Sequence, residues 1–311
     1  MRQLSLVDMH CDTAYEMYMR NESFLSNSLS VSLDKADIYK EYIQVLAVWS
    51  DKKLDNDDAY RRFWDIYNHL NNDIKTSEYT ALYKGLPINT PSKLVLGIED
   101  ARILNNDRSR LKALYGAGVR ILTLLWSGIS CIGGAYDTNV ALTDFGCDVV
   151  LDCIEFGIIP DISHASLKSA DKVFELCFDK DYPVIASHSN SYSVFAHPRN
   201  LSDRQFLQIK KLRGVVGINL CEEHLEIPSK FSPFVSILRH IEHYLSLDGE
   251  DTVCFGCDFD GAKTPEALPD IASLHFLANE MSKLNYNDLL IEKIFYLNAK
   301  NFILKNIINV T

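Results

Sequence analysis

Histidines and carboxylates stand where apolar runs of this chain stop. "LSLVDMH" leads into His10 and Asp12, and "KLVLGIED" closes on Glu99. "FGIIPDISH" ends at His164, "YPVIASHS" passes through His188, and "DTVCFGCDFDG" carries Asp258. Residues i and i+2 of a strand share a face, so His10 and Asp12 can grip one ion. Cys11, between them, would then face the opposite layer as a small apolar residue. Taken singly, each signal has a plain structural reading: a hydrogen-bonded core histidine at 10, a helix-capping acid at Glu99, a turn before Gly261 at Asp258 and Asp260. Taken together they place six metal-capable or proton-transferring side chains at the same end of five strands. Nitrogen and oxygen donors without thiolate suit zinc or another first-row ion. They are too many for one tetrahedral zinc, and a carboxylate-bridged pair of ions about 3.5–4 Å apart uses them all.

The elements that must position these groups alternate. Eight short, β-branched runs read as strands buried on both faces: the five above, with "YIQVLAVWS", "GVRILTLLWS" and "GVVGINLC". Helical periodicity fills the intervals, at 59–75, 102–117, 143–156, 167–178, 203–212, 234–247, 271–283 and 287–307. Ser202 is placed to cap one helix, and Gly116 or Gly118 to end another. Eight strands alternating with helices predict a (β/α)8 TIM-like barrel, whose active site lies at the C-terminal ends of its strands. A doubly wound open sheet is the alternative, but no G-x-G-x-x-G follows an early strand. No linker or internal repeat interrupts the 311 residues, which read as a single barrel domain over 1–311. The polar stretch Ala14–Lys40 reads as a surface loop plus a short helix, placed to cover part of the site.

Composition narrows the partners. A net charge of -11 argues against nucleic acid and anionic membranes. No apolar run approaches a membrane span or a signal peptide, so a cytoplasmic location is expected. The eight cysteines follow no secreted-scaffold spacing and read as reduced thiols. Cys254 and Cys257 form a C-x-x-C inside a strand, where residues three apart face opposite ways, against a zinc knuckle. His240 and His243 read as a solvated helix surface, and His69 and His275 as helical residues without a role. His197 and His224 fall on loops bordering the rim.

Across "DMHCDT", "LGIED", "VRILTLLW", "LTDFGCDVVLDCIEFGIIPDISHAS", "PVIASHSNSYSVFAHPRNLSD", "GVVGINL" and "FGCDFDG", the chain resembles the membrane (renal) dipeptidases and their bacterial relatives. These are binuclear zinc peptidases of the amidohydrolase-like barrel group. The resemblance implies a zinc-dependent dipeptidase, cytosolic and bacterial in type, acting on small dipeptides through a bridging hydroxide. It implies one zinc on His10, Asp12 and Glu99, and a second on Glu99, His164 and His188, with Glu99 shared. Arg199 in "HPRN" matches the arginine that receives the dipeptide's free carboxylate. Asp258 matches the acid beside the bridging water, a general base and then acid. A homodimer is implied, as is tolerance of a C-terminal D-residue. One position departs: Trp126 stands in "LTLLWSG" where animal members carry a substrate-contacting histidine, which bears on how the carbonyl oxygen is stabilised. The rim alone also admits a lactonase, deaminase or acyl-amino-acid hydrolase, and Trp126 is the feature that would favour an inactive binding protein.

Overall fold

The apolar runs form the strands of one parallel sheet. The computed structural model describes residues 3–75, 80–82, 92–225 and 232–308. The strands are β1 (Leu6–Cys11), β2 (Tyr42–Trp49), β3 (Thr80–Leu82), β4 (Ser92–Glu99), β5 (Val119–Thr123), β6 (Ile159–Asp161), β7 (Val216–Ile218) and β8 (Val253–Phe255). Seven pair in the order β6-β5-β4-β2-β1-β8-β7, every neighbour parallel, and β3 adds to β4. The result is a curled, half-barrel parallel sheet within a mixed α/β fold.

The run around His188 is not a strand in this sheet. It pairs through single parallel bridges, Asp161 with Ile185 and Ala186 with Val216, between β6 and β7. Close approach explains the irregularity. A Cβ at Gly217 or Gly256 would fall 1.8 or 1.7 Å from the Ser187 carbonyl oxygen, so glycine at both sites lets this backbone pass. β3 was not foreseen as a strand.

Inside the curl, alternate strand residues make one apolar column that includes Val7, Met9, Ile43, Val45, Val95, Ile121, Ile159, Ile185, Val215 and Cys254. Tyr296, Phe302 and Ile303 from the last helical segment join that column. The Tyr296 hydroxyl donates to Glu41, just before β2, so this segment lies at the N-terminal ends of the strands. Their C-terminal ends are left for the site. A second, larger cluster fills the space between sheet and helices.

Helix ends follow the chain's local chemistry. Ser202 and Gln205 form a reciprocal capping box for helix Asp203–Lys211, and Gly118, with φ 109°, closes helix Arg108–Ala117. The segment 14–40 is more ordered than a surface loop. It holds helices Thr13–Arg20 and Leu33–Ala36 and buries Phe24, Leu29, Val31 and Tyr39. Tyr15 and Glu16 of the first helix line the main cleft, so part of the segment does border the site. Among the described residues, no helix is long and apolar enough to cross a membrane.

Candidate metal centre

β1 aims its residues by a break in register. Val7 and Met9 belong to the inner column, so simple alternation would turn His10 outward with Asp8. The pairing with β2 shifts between Asp8 and Cys11, and this bulge brings His10 to the other site residues. Asp8 secures the bend by accepting from the backbone N–H groups of His10 (3.4 Å) and Cys257 (2.8 Å). Cys11 packs in the outer cluster; Cys254 and Cys257 sit in different clusters, but β8 ends at Phe255, so only Cys254 of that pair is in a strand. All eight cysteines are free.

Glu99, at the end of β4, is the centre of the cluster. Its Oε1 lies 2.9 Å from His164 Nε2, 3.3 Å from His188 Nε2 and 3.8 Å from His10 Nε2. His10 Nε2 is also 3.5 Å from Asp12 and 3.9 Å from Asp258. Ligand atoms on a tetrahedral zinc with bonds of about 2.0–2.1 Å stand about 3.4 Å apart, so these spacings fit shared cations. Two sets of donor atoms, His10/Glu99/His188 and His10/Asp12/Asp258, each lie within 4.8 Å of one another.

Hydrogen bonds fix two of the imidazoles. His164 Nδ1 donates to the Trp126 carbonyl oxygen (2.9 Å). His188 Nδ1 donates to Ser187 Oγ (2.7 Å), whose hydroxyl donates to Asp161 (2.5 Å). Both rings therefore present bare Nε2 atoms, 2.9 Å apart, with Glu99 Oε1 beside them. Three acceptors this close repel one another unless a cation or a proton lies between them. His10 Nε2 and Asp12 Oδ1 are likewise buried without a hydrogen-bond partner. The donor set and these orphaned atoms fit metal ions.

The charges tell the same story. Burial, with the neighbouring Asp12 carboxylate, pushes Glu99 well above the carboxylate range. Asp258 rises to about 6, from burial first and despite His10 and Arg199. Burial works against charge on His10, yet Glu99, Asp12 and Asp258 together raise it to about 10. His164 and His188 fall well below the usual imidazole value, chiefly through burial, with Arg199 and His10 adding to it. Without a cation the site is a crowd of buried anions sharing whatever protons it can hold. His164 and Asp258 both adopt positive φ, 68° and 63°, a strained conformation held where geometry matters.

Two cavities meet at His164. The larger, about 600 Å³, is lined by Asp12, Tyr15, Glu99, Trp126 and Asp258 among others. The smaller, about 310 Å³, is lined by Tyr136, Tyr192 and Arg199 among others. Arg199 is 4% exposed, its Nη2 donates to the His188 carbonyl oxygen (3.3 Å), and its Nε has no partner. Trp126 serves twice: its carbonyl orients His164, while its indole lines the larger cleft edge-on to Trp49.

The structure brings every expected site residue to this one rim. It corrects one reading: His240 is not on a solvated helix surface but fully buried, with Nδ1 accepting from the Ser191 N–H. The helix turns that face to the body, while His243 stays at the surface against Asp203. His197 and His224 lie with rings 4.8 Å apart, and His224 lines the larger cleft. Sequence reasoning missed Asp161, which accepts from Thr123, Ser187 and two backbone N–H groups. It also missed Asn219, whose amide donates to Asp258 (2.9 Å). Polar residues ending "IIPD" and "GIN" were the available signals.

Comparison with known proteins agrees with this geometry. The family model for membrane dipeptidase, peptidase family M19, matches residues 1–306. An uncharacterized protein encoded in the pqqA 5′ region of Klebsiella pneumoniae is 31% identical over 69% of this chain and 82% of its own. The crystal structure of dipeptidase AC, a metallopeptidase of family M19, superposes with a TM-score of 0.90 at 23% identity, covering 98% of this chain and 99% of that one. A metallopeptidase from Rhodobacter sphaeroides, liganded with a phosphinate mimic of the dipeptide L-Ala-D-Ala, gives 0.86 at 22% identity with the same coverage. A buried cluster of metal donors at the strand ends, in a chain matched over residues 1–306 by one family, leads to one conclusion: this chain belongs to the membrane dipeptidase family, peptidase family M19, and is a metal-dependent dipeptidase.

Proposed function

We propose that this enzyme cleaves small dipeptides at a two-zinc centre, with Glu99 shared between an ion on His10 and Asp12 and an ion on His164 and His188. The observation that carries this is the trio of bare acceptors, His164 Nε2, His188 Nε2 and Glu99 Oε1, within 2.9–3.3 Å. When bound, such ions supply a Lewis acid for the scissile carbonyl and a water of lowered pKa. The rest of the chemistry belongs to the chain. Arg199, buried and with an unpartnered Nε, receives the dipeptide's carboxylate as a planar two-pronged donor. That clamp restricts the substrate to dipeptides, because a longer peptide presents a neutral amide where the clamp takes a free carboxylate. Asp258, held by Asn219, takes the proton of the attacking water and returns it to the departing amine. Trp126 gives the N-terminal residue an apolar wall in the larger cleft.

The same reading extends to dipeptides ending in a D-residue, supported by the L-Ala-D-Ala mimic held by the Rhodobacter sphaeroides protein. It takes 1–311 as one (β/α)8 barrel domain, closed through the bridges of Ile185 and Ala186 between β6 and β7. It takes the enzyme as a cytoplasmic homodimer, the first part in keeping with eight free cysteines. The test is hydrolysis of L-Ala-L-Ala and L-Ala-D-Ala beside L-Ala-L-Ala-amide. Release from the free dipeptides and at least about 100-fold lower kcat/KM on the amide are expected. Equal rates on acid and amide would remove Arg199 from its role.

A further inference from the structure

The smaller cavity has the position and lining of a side-chain pocket. It touches the candidate centre at His164 and is the cavity that Arg199 lines, whereas the larger cleft carries Asp12, Glu99 and Asp258. In a dipeptide, the C-terminal residue joins the scissile nitrogen to the carboxylate. With the carboxylate on Arg199 and the scissile carbonyl beside His164, that residue's side chain is directed to the cavity that Arg199 and His164 both line. Resting on the Arg199 reading above, we infer that this cavity selects dipeptides with a bulky apolar or aromatic C-terminal residue.

Its walls give the reason. Tyr136, Ile162, Leu167, Tyr192, Pro198 and Leu201 supply its apolar walls, beside the neutral polar side chains of Thr138, Asn139, Asn200, Ser202 and Gln205. The guanidinium of Arg199 lies 5.8 Å from the centre of the Tyr136 ring, which sets an aromatic face beside the carboxylate position. Leu167 and Tyr192 are 59% and 47% exposed, large apolar surfaces at the mouth that an incoming side chain would cover. At about 310 Å³ the cavity sits at the low end of the roughly 300–1,000 Å³ of ligand pockets. A glycine or alanine would leave it mostly unfilled. Arg199, taken up by the main-chain carboxylate, is the one charged side chain in its lining, so acidic and basic C-terminal side chains find no further ion-pair partner there. The larger cleft is mixed, with Glu16, Glu222, Glu223 and Lys263 facing the Trp126 wall, and so is less selective for the N-terminal residue.

The experiment measures kcat/KM for L-Ala-Gly, L-Ala-L-Leu and L-Ala-L-Phe with the zinc-loaded enzyme, its Tyr192→Ala and Leu167→Ser variants, and Arg199→Ala. Both pocket substitutions lie at partly exposed positions, and a thermal melt verifies their folding. L-Ala-L-Phe and L-Ala-L-Leu should exceed L-Ala-Gly by at least about tenfold. Tyr192→Ala should shrink the Phe-to-Gly ratio several-fold, and Leu167→Ser the Leu-to-Gly ratio. Wild-type ratios near one, or ratios that neither variant moves, would overturn the assignment. Arg199→Ala separates the two layers. If it raises KM for all three substrates while the ratios are flat, only the pocket is wrong; if it leaves KM unchanged, the carboxylate clamp beneath it falls as well.

Discussion

A single methyl group placed at Gly261 tests whether the two carboxylates are held as described. A Cβ there would lie 1.9 Å from Asp12 Oδ2 and 2.8 Å from Asp258 Oδ1. Ordinary contact begins near 3.4 Å, so the Asp12 carboxylate must retreat by about 1.5 Å (3.4 − 1.9), and that of Asp258 by about 0.6 Å (3.4 − 2.8). Misplacement of a site group by about 1 Å is enough for a hundredfold loss of rate. Gly261→Ala should therefore lower kcat/KM on L-Ala-L-Ala by at least about 100-fold and weaken zinc binding. The backbone gives no reason for the fold to suffer: Gly261 is exposed and is not among the glycines at positive φ. The melting temperature should move by less than about 5 °C, as for a change near 1 kcal/mol. The assay is steady-state hydrolysis with a calorimetric zinc titration of the metal-stripped protein and a circular dichroism melt. A variant that folds, binds zinc and turns over like the wild type would refute the placement of Asp12 and Asp258 against this turn.

Three further outcomes follow from the same geometry. Asp161→Asn breaks the chain through Ser187 that fixes the His188 proton on Nδ1, and it should weaken one of two ions by about 10–100-fold. Competition with a chelator reads this, and wild-type affinity for both ions would contradict it. For the metal-free protein, Asp258 has a folded pKa of about 6 against an ordinary 3.8, so its favourable protonated state is lost as pH rises through that window. Metal-free Asp258→Asn should thus melt like the wild type at about pH 4 and above it at pH 7, an offset that zinc reverses; a pH-independent offset would count against the burial argument. Trp126→Ala removes an indole but not the carbonyl that orients His164, so zinc stoichiometry should hold while KM rises several-fold. Loss of an ion in that variant would show that the side chain, not the backbone, supports His164.

The ends of the apolar runs were legible because five of them finish on histidine or a carboxylate, a coincidence that separate core, cap and turn roles do not explain. Caps at Ser202 and Gly118 were legible for a local reason. What failed to show was anything set by close approach between distant segments. The bulge in β1 depends on Asp8 meeting Cys257, 249 residues away, and the broken strand around Ser187 depends on glycines at 217 and 256. His240 was misread because helical periodicity shows which residues share a face, not which face the sheet covers. Segment 14–40 is more than a surface loop because its polar residues bridge rather than solvate: the Ser23 hydroxyl donates to Asp73, and the Asn27 amide to the carbonyl oxygens of Ser23 and Val31.

The most direct test of the centre is metal content against activity. Chelator-stripped protein would be titrated with zinc, with bound metal counted by elemental analysis and alanine release from L-Ala-L-Ala followed at each step. Two zinc ions per chain, and hydrolysis absent from the stripped protein and restored with occupancy, are the expected result. One ion per chain at full activity, or hydrolysis that survives metal removal, would contradict a centre shared through Glu99.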